Sequence, residues 1–212
     1  AEYAPPRTGD DDRRLLQAQV AHGRGDLVTS AKMCAAVADS PASEPVTSTI
    51  EARQMLSHLS LEAEEPAEAV RQLTPVVEVG LEYDLVVGTL RSVRLLSALL
   101  NSDGDYARAA ELAAAALDAA SGMPVNGLVM DLRLILAWSL LDSGDDDAAL
   151  SHAVPVAQWS SLTSDEERTD AAFTIAATAA GRSGDAERAA DLLVEHAEHL
   201  GRLGDGEGAS RA

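Results

Sequence analysis

His196 and His199 stand three residues apart in the stretch EHAEH, a spacing that puts both imidazoles on one side of a helix. A metal ion needs more ligands than two, and Glu195 falls on a different side. The pair therefore reads as a solvated polar face on a terminal helix, with no metal. NSDGD and DSGDDD are carboxylate-rich runs of the kind found in calcium loops. Counted from Asn101 and Asp142, the sixth place needs Gly and holds Tyr106 and Asp147; the twelfth needs Glu and holds Leu112 and Ala153. Both runs read instead as acidic turns at helix N-termini, where the helix dipole favours negative charge. Cys34 is the only cysteine, so no intrachain disulfide forms, and its neighbours Ala35, Ala36 and Val37 predict a buried, inert thiol. Arg24-Gly25-Asp26 spells an adhesion tripeptide but reads as a turn preceded by an arginine. No G-x-S-x-G, P-loop or strand-borne G-x-G-x-x-G occurs. The expectation is a protein that is not an enzyme and carries no cofactor.

The remaining chemistry is that of surfaces. The 212 residues carry a formal charge of −19, which argues against nucleic-acid partners and against an anionic membrane surface. No apolar run approaches the ~18 residues needed to span a bilayer, and AEYAPPRTGDDDRR lacks a basic-then-apolar leader pattern. These features predict an acidic, soluble, cytoplasmic protein. Hydrophobic residues make up 46% of the chain, but only six residues are aromatic. A core of Ala, Leu and Val becomes dense only where backbones approach closely, which suits small residues facing small residues on helices.

A period supplies that arrangement. Gly-Asp recurs at Gly25, Gly104, Gly144 and Gly184, and Glu64-Glu65-Pro66 fills the vacant place, so the turn positions lie 39, 40, 40 and 40 residues apart. Five residues after each turn position stand Ser30, Ala69, Ala109, Ala149 and Ala189; seven before stand Ala18, Ser57, Ser97, Ala137 and Ala177. All ten are small. Gly permits the turn, while Asp or Pro opens the next helix. The two small columns mark where paired helices cross. A bulky residue there forces the axes apart.

Segments on both sides of each turn repeat apolar residues at three- and four-residue intervals, and DSPASEP, GLEYD, SGMPVNG and SSLTSDEE separate the hairpins. The pattern predicts ten helices in five hairpins over residues 11–202, with flexible tails at 1–10 and 203–212. Pro75 and Pro155, each eleven residues after a turn position, predict bends in the second helices of repeats two and four.

GDYARAAELAAAAL resembles the second half of a tetratricopeptide repeat (TPR): Gly104, Asp105, Tyr106, Ala109, Ala116 and Leu117 match that family's pattern. The family's small residue seven before the turn is matched in every repeat. The period exceeds the usual 34 residues and resembles the longer variants in bacterial signal-transduction regulators of the MalT type. The resemblance implies an all-α, right-handed superhelical solenoid of five TPR-like antiparallel hairpins. It also implies a concave groove lined by the first helix of each repeat.

By the same resemblance, the groove positions are occupied by Gln54, His58, Arg91, Arg94, Asn101, Asp131, Trp138, Thr174 and Thr178, together with Glu51, Leu61, Leu134 and Leu141. Arg91 and Arg94 suit a carboxylate, Asn101 suits an extended peptide backbone, and Trp138 suits an apolar contact. Two other outcomes stay open here: the arginines pair with Glu51 or Asp131, or Trp138 packs in the core. The implied function is a non-catalytic interaction module holding a protein or peptide partner, with an acidic or C-terminal carboxylate group as the recognised feature. A regulatory sensor domain of a bacterial signalling or transcription system, binding a small effector or peptide, is the alternative. The oligomeric state is left open.

Overall fold

A computed structural model describes residues 8–40, 47–82, 86–163 and 165–209. Ten α-helices follow in chain order among them: α1 (Thr8–Gly23), α2 (Leu27–Ala38), α3 (Thr47–Glu62), α4 (Pro66–Glu82), α5 (Val86–Asp103), α6 (Tyr106–Ala119), α7 (Gly127–Ser143), α8 (Asp146–Thr163), α9 (Glu166–Arg182) and α10 (Ala186–Ala209). No strand occurs among the described residues. The chain forms two compact units, residues 1–99 and 100–212, with the division near the end of α5.

All five turns are closed the same way. The residue after the turn position donates its N–H to the carbonyl five residues back: Asp26 to Ala21, Glu65 to Ser60, Asp105 to Leu100, Asp145 to Leu140 and Asp185 to Ala180, at 2.8–3.0 Å. This closure places the turn residue in the left-handed region, with φ of 76°, 85°, 87° and 88° at Gly25, Gly104, Gly144 and Gly184. Glu64 takes the same conformation at φ 60°, the only non-glycine among the described residues to do so. Asp26, Asp105, Asp145 and Asp185 then cap the next helix, each accepting from the backbone N–H three residues on. Pro66 opens α4 instead, at the first helical position, where no N–H is needed.

The small columns lie inside. Nine of the ten positions are buried, with Ala189 of α10 half-buried. In the unit of residues 1–99, α1 packs on α2 and α3, α2 on α3, and α3 on α4. Its core joins Leu15, Ala18, Cys34, Val37 and Ala52. Gly80 of α4 faces Thr89 of α5 so closely that a Cβ there has no room. In the unit of residues 100–212, α6 packs on α7, α7 on α8 and α9, α8 on α9, and α9 on α10. There alanines such as Ala137, Ala149, Ala153 and Ala176 close around Met130 and Phe173.

Several boundaries differ from the sequence reading. Thr8–Asp10 belong to α1, whose first turn carries Asp10 and Asp11 where the dipole favours them, so that part of the expected N-terminal tail is helical. Likewise α10 continues to Ala209. Residues 1–7 and 210–212, and most of DSPASEP, lie outside the described residues. Gly80, Leu81 and Glu82 extend α4 into the expected breaker GLEYD. Pro75 and Pro155 lie inside α4 and α8, the second helices in which the sequence places them.

Candidate partner-binding face

In the unit of residues 1–99, the first-helix face is carried by α3 and α5. His58 on α3 and Arg91 and Arg94 on α5 are exposed, as is Glu51. Gln54 is half-buried: its Nε2 donates to the Gly88 carbonyl at 3.1 Å and to Ser92 Oγ at 2.7 Å. It fixes α3 against α5 and so sets the spacing between His58 and the arginines. Behind it, Arg53 donates to Gln72 and to the Ala38 carbonyl, both at 3.2 Å, tying α3 to its neighbours on both sides.

In the unit of residues 100–212, the corresponding first-helix positions lie on the end of α5, on α7 and on α9. Trp138 is 50% exposed. Its indole N–H donates to Asp142 Oδ2 at 2.8 Å one turn on, which fixes the ring's direction. Trp138 is thus a surface residue, and the core-packing alternative does not hold. Thr174 and Thr178 are exposed on α9, one turn apart, with the Thr178 hydroxyl donating to the Thr174 carbonyl at 2.7 Å. Asn101 is buried: Ser139 Oγ donates to its Oδ1 at 2.8 Å, and its Nδ2 has no hydrogen-bond partner among the described residues. Asp131 accepts from Arg168 Nε at 3.0 Å and Nη2 at 2.8 Å. Arg168 also pairs with Asp165 and lies 5.5 Å from the Trp159 ring. Leu141 is buried, and its carbonyl accepts from Arg182 at 2.8 Å.

The sequence reading missed Ser92, Ser139 and Arg168, which hold neighbouring first helices together. A signal existed for the serines. Ser92 is twelve before its turn position, where Arg13, Ala52, Leu132 and Ala172 stand in the other repeats; Ser139 is five before, opposite Val20, Leu59, Leu99 and Ala179. A polar residue at a place that most repeats fill with an apolar one needs a partner once it is buried. Arg168 has no comparable signal.

The histidine pair requires a correction. His199 is buried, and His196 stacks on Phe173 with ring centroids 5.1 Å apart and lies 3.2 Å from Asp170. Neither forms a solvated face, because this side of α10 packs on α9. No group of three metal-capable side chains occurs among the described residues, and no described helix is long and apolar enough to cross a membrane. Burial, assisted by the charge of Arg133, lowers the basicity of His152, and burial raises the Cys34 thiol above its ordinary range.

Repeated hairpins with small crossing residues and glycine-closed turns define the scaffold, and solved structures share it. A putative kinesin light chain with nearly identical TPR-like repeats from Podospora anserina superposes with a TM-score of 0.69 at 17% identity, covering 92% of this chain and 96% of that one. The fold is tetratricopeptide-like. The apo form of RapI gives a TM-score of 0.71 at 11% identity, over 89% of this chain and 53% of RapI. A Rap protein complexed with competence and sporulation factor gives 0.58 at 10% identity, over 91% of this chain and 54% of that one. No protein-family model and no curated protein matches the sequence. TPR-like packing accounts for the two small columns, since both lie where neighbouring helices meet.

Proposed function

We propose that this TPR-like chain is a non-catalytic, cytoplasmic interaction module that holds a protein or peptide partner through exposed side chains of its first helices. The observation that carries the reading is Trp138. A large aromatic side chain, half exposed and oriented by a hydrogen bond to Asp142, offers a pre-set apolar contact of the kind enriched at binding hot spots. Thr174 and Thr178 supply hydroxyls on the neighbouring helix of that unit. In the other unit, Arg91 and Arg94 stand exposed one turn apart in a chain of net charge −19. Guanidinium groups so placed suit an acidic segment or a C-terminal carboxylate. His58 lies on the adjacent helix, at a spacing that Gln54 sets.

A pull-down with the intact chain, repeated with Trp138→Ala and with Arg91→Ala/Arg94→Ala, tests this. Loss of a hot-spot tryptophan costs about 2 kcal/mol or more, roughly thirtyfold in affinity. Both variants are expected to lose partners that the intact chain captures. Recovery of the same partners at unchanged affinity by both variants overturns the reading.

One observation favours a second reading, a regulatory sensor: a protein of this fold has been solved complexed with competence and sporulation factor. A sensor changes shape on binding. A shift in scattering radius when the captured partner is added supports that role, and a constant radius supports a static adaptor.

A further inference from the structure

Arg133 of α7 is half-buried, yet it makes no hydrogen bond and no ion pair among the described residues, and its Nε is wholly buried. On α8, the other helix of the same hairpin, His152 is also half-buried, and its Nδ1 is buried without a hydrogen-bond partner. Buried donors ordinarily find acceptors, and a guanidinium taken out of water ordinarily finds a carboxylate. This chain carries 35 carboxylate side chains against 16 of Lys and Arg, so acids are not scarce.

Register shows which acid is missing. Arg133 stands eleven before its turn position and His152 eight after. In the second repeat these two columns hold Arg53 and Gln72, and they meet: Arg53 Nη1 donates to Gln72 Oε1 at 3.2 Å. Gln72 Nε2 donates in turn to Glu68 Oε1 at 2.7 Å, so a carboxylate four residues before Gln72 ends the run of bonds. In the fourth repeat Ala148 takes the place of Glu68. The residues three and four away from Arg133 and from His152 on their own helices are all uncharged. Asp131, two residues from Arg133, is held by Arg168. Burial and then the charge of Arg133 lower the basicity of His152, which puts the two side chains within electrostatic reach of each other.

We propose that Arg133 and His152 together bind a small oxyanion, a phosphate or a carboxylate, between α7 and α8. Arg133 Nε–H and His152 Nδ1–H are the two donors, and the guanidinium supplies the opposite charge. A neutral imidazole suffices, in the tautomer that carries its proton on Nδ1. The anion does for Arg133 what the Glu68 carboxylate does for Arg53 through Gln72. Neither residue is among those proposed above to meet a partner, so loss of anion binding and loss of partner binding are separable.

Thermal unfolding of the full chain with inorganic phosphate, at an ionic strength held constant with sodium chloride, tests the proposal. Tm is expected to rise by roughly 3–6 °C when phosphate stands about tenfold above its Kd, and the rise should saturate. Arg133→Met removes the charged donor and should keep only the small, unsaturating rise that phosphate gives proteins in general. Ala148→Glu/His152→Gln imports the arrangement of the second repeat. It retains Arg133, supplies an internal carboxylate, and should also lose the saturable rise, with circular dichroism verifying the helical fold. Acetate is the second probe: saturation by either anion supports the site and identifies the group it takes. Saturation by neither overturns the proposal, and so does a saturable rise of equal size in Ala148→Glu/His152→Gln.

Discussion

The unit of residues 1–99 displays His58, Arg91 and Arg94 on its first-helix surface, and the unit of residues 100–212 displays Trp138, Thr174 and Thr178. Behind both surfaces the same columns hold only alanine or serine: Ser30, Ser57 and Ala69 in one unit, Ala109, Ala137 and Ala149 in the other, each fully buried. The inner columns admit little variation because each residue sits where two backbones meet. Outward positions touch water, so they can differ without disturbing the stack. Chemical specificity in such a chain lies in departures from the repeat and stability lies in adherence to it.

Overpacking provides the strongest test of that contrast. Ala137→Leu and Ser57→Leu put a branched side chain into equivalent sites of the two units, and each should destabilise by about 1–3 kcal/mol in chemical denaturation. Ala189→Leu occupies the same kind of column in half-buried α10, and should change stability by less than about 0.5 kcal/mol. A similar loss at all three sites would break the link between column and burial.

The turns give a smaller effect with opposite signs in the two units. Gly144→Ala places a Cβ on a backbone at φ 87°, and should cost about 1–2 kcal/mol. Glu64→Gly relieves the corresponding strain at φ 60°, and should gain up to about 1 kcal/mol, read as a higher Tm. Two losses, or two gains, would show that the turns are not equivalent.

The smallest effect concerns pH and is confined to the unit of residues 100–212. His152 is harder to protonate in the folded chain than its ordinary value of 6.5, because of burial and Arg133. The unfolded chain therefore binds the proton first. Stability contributed by the neutral ring is fully present above that value and declines as pH falls below it, towards the folded pKa. His152→Gln should flatten the stability profile in that window; an unchanged slope would assign it to other groups.

Turn positions and crossing columns were legible in the sequence because each is set by local chemistry repeated at a fixed spacing. Glycine before aspartate identified the turns, and Ala or Ser at two offsets identified the contacts. Even Glu64, the exception, is legible by register alone. The candidate face was legible only in part. The resemblance implies that Gln54, Asn101 and Asp131 are open to a ligand, yet each is held by a residue 37 or 38 positions away. Which polar groups meet across one period depends on how each helix is rotated about its axis, which composition does not specify. The burial of the histidine side of α10 is legible from register. His196 stands twelve after its turn position, in the column of Val37, Val76, Ala116 and Val156, all buried.

Cys34 equips the chain with an internal reporter. The sole thiol is sealed between α2 and its neighbours, and its raised pKa leaves little thiolate to react. A thiol reagent reaches it only when the first hairpin opens, so the labelling rate measures how often that hairpin comes apart while the rest of the protein stays folded.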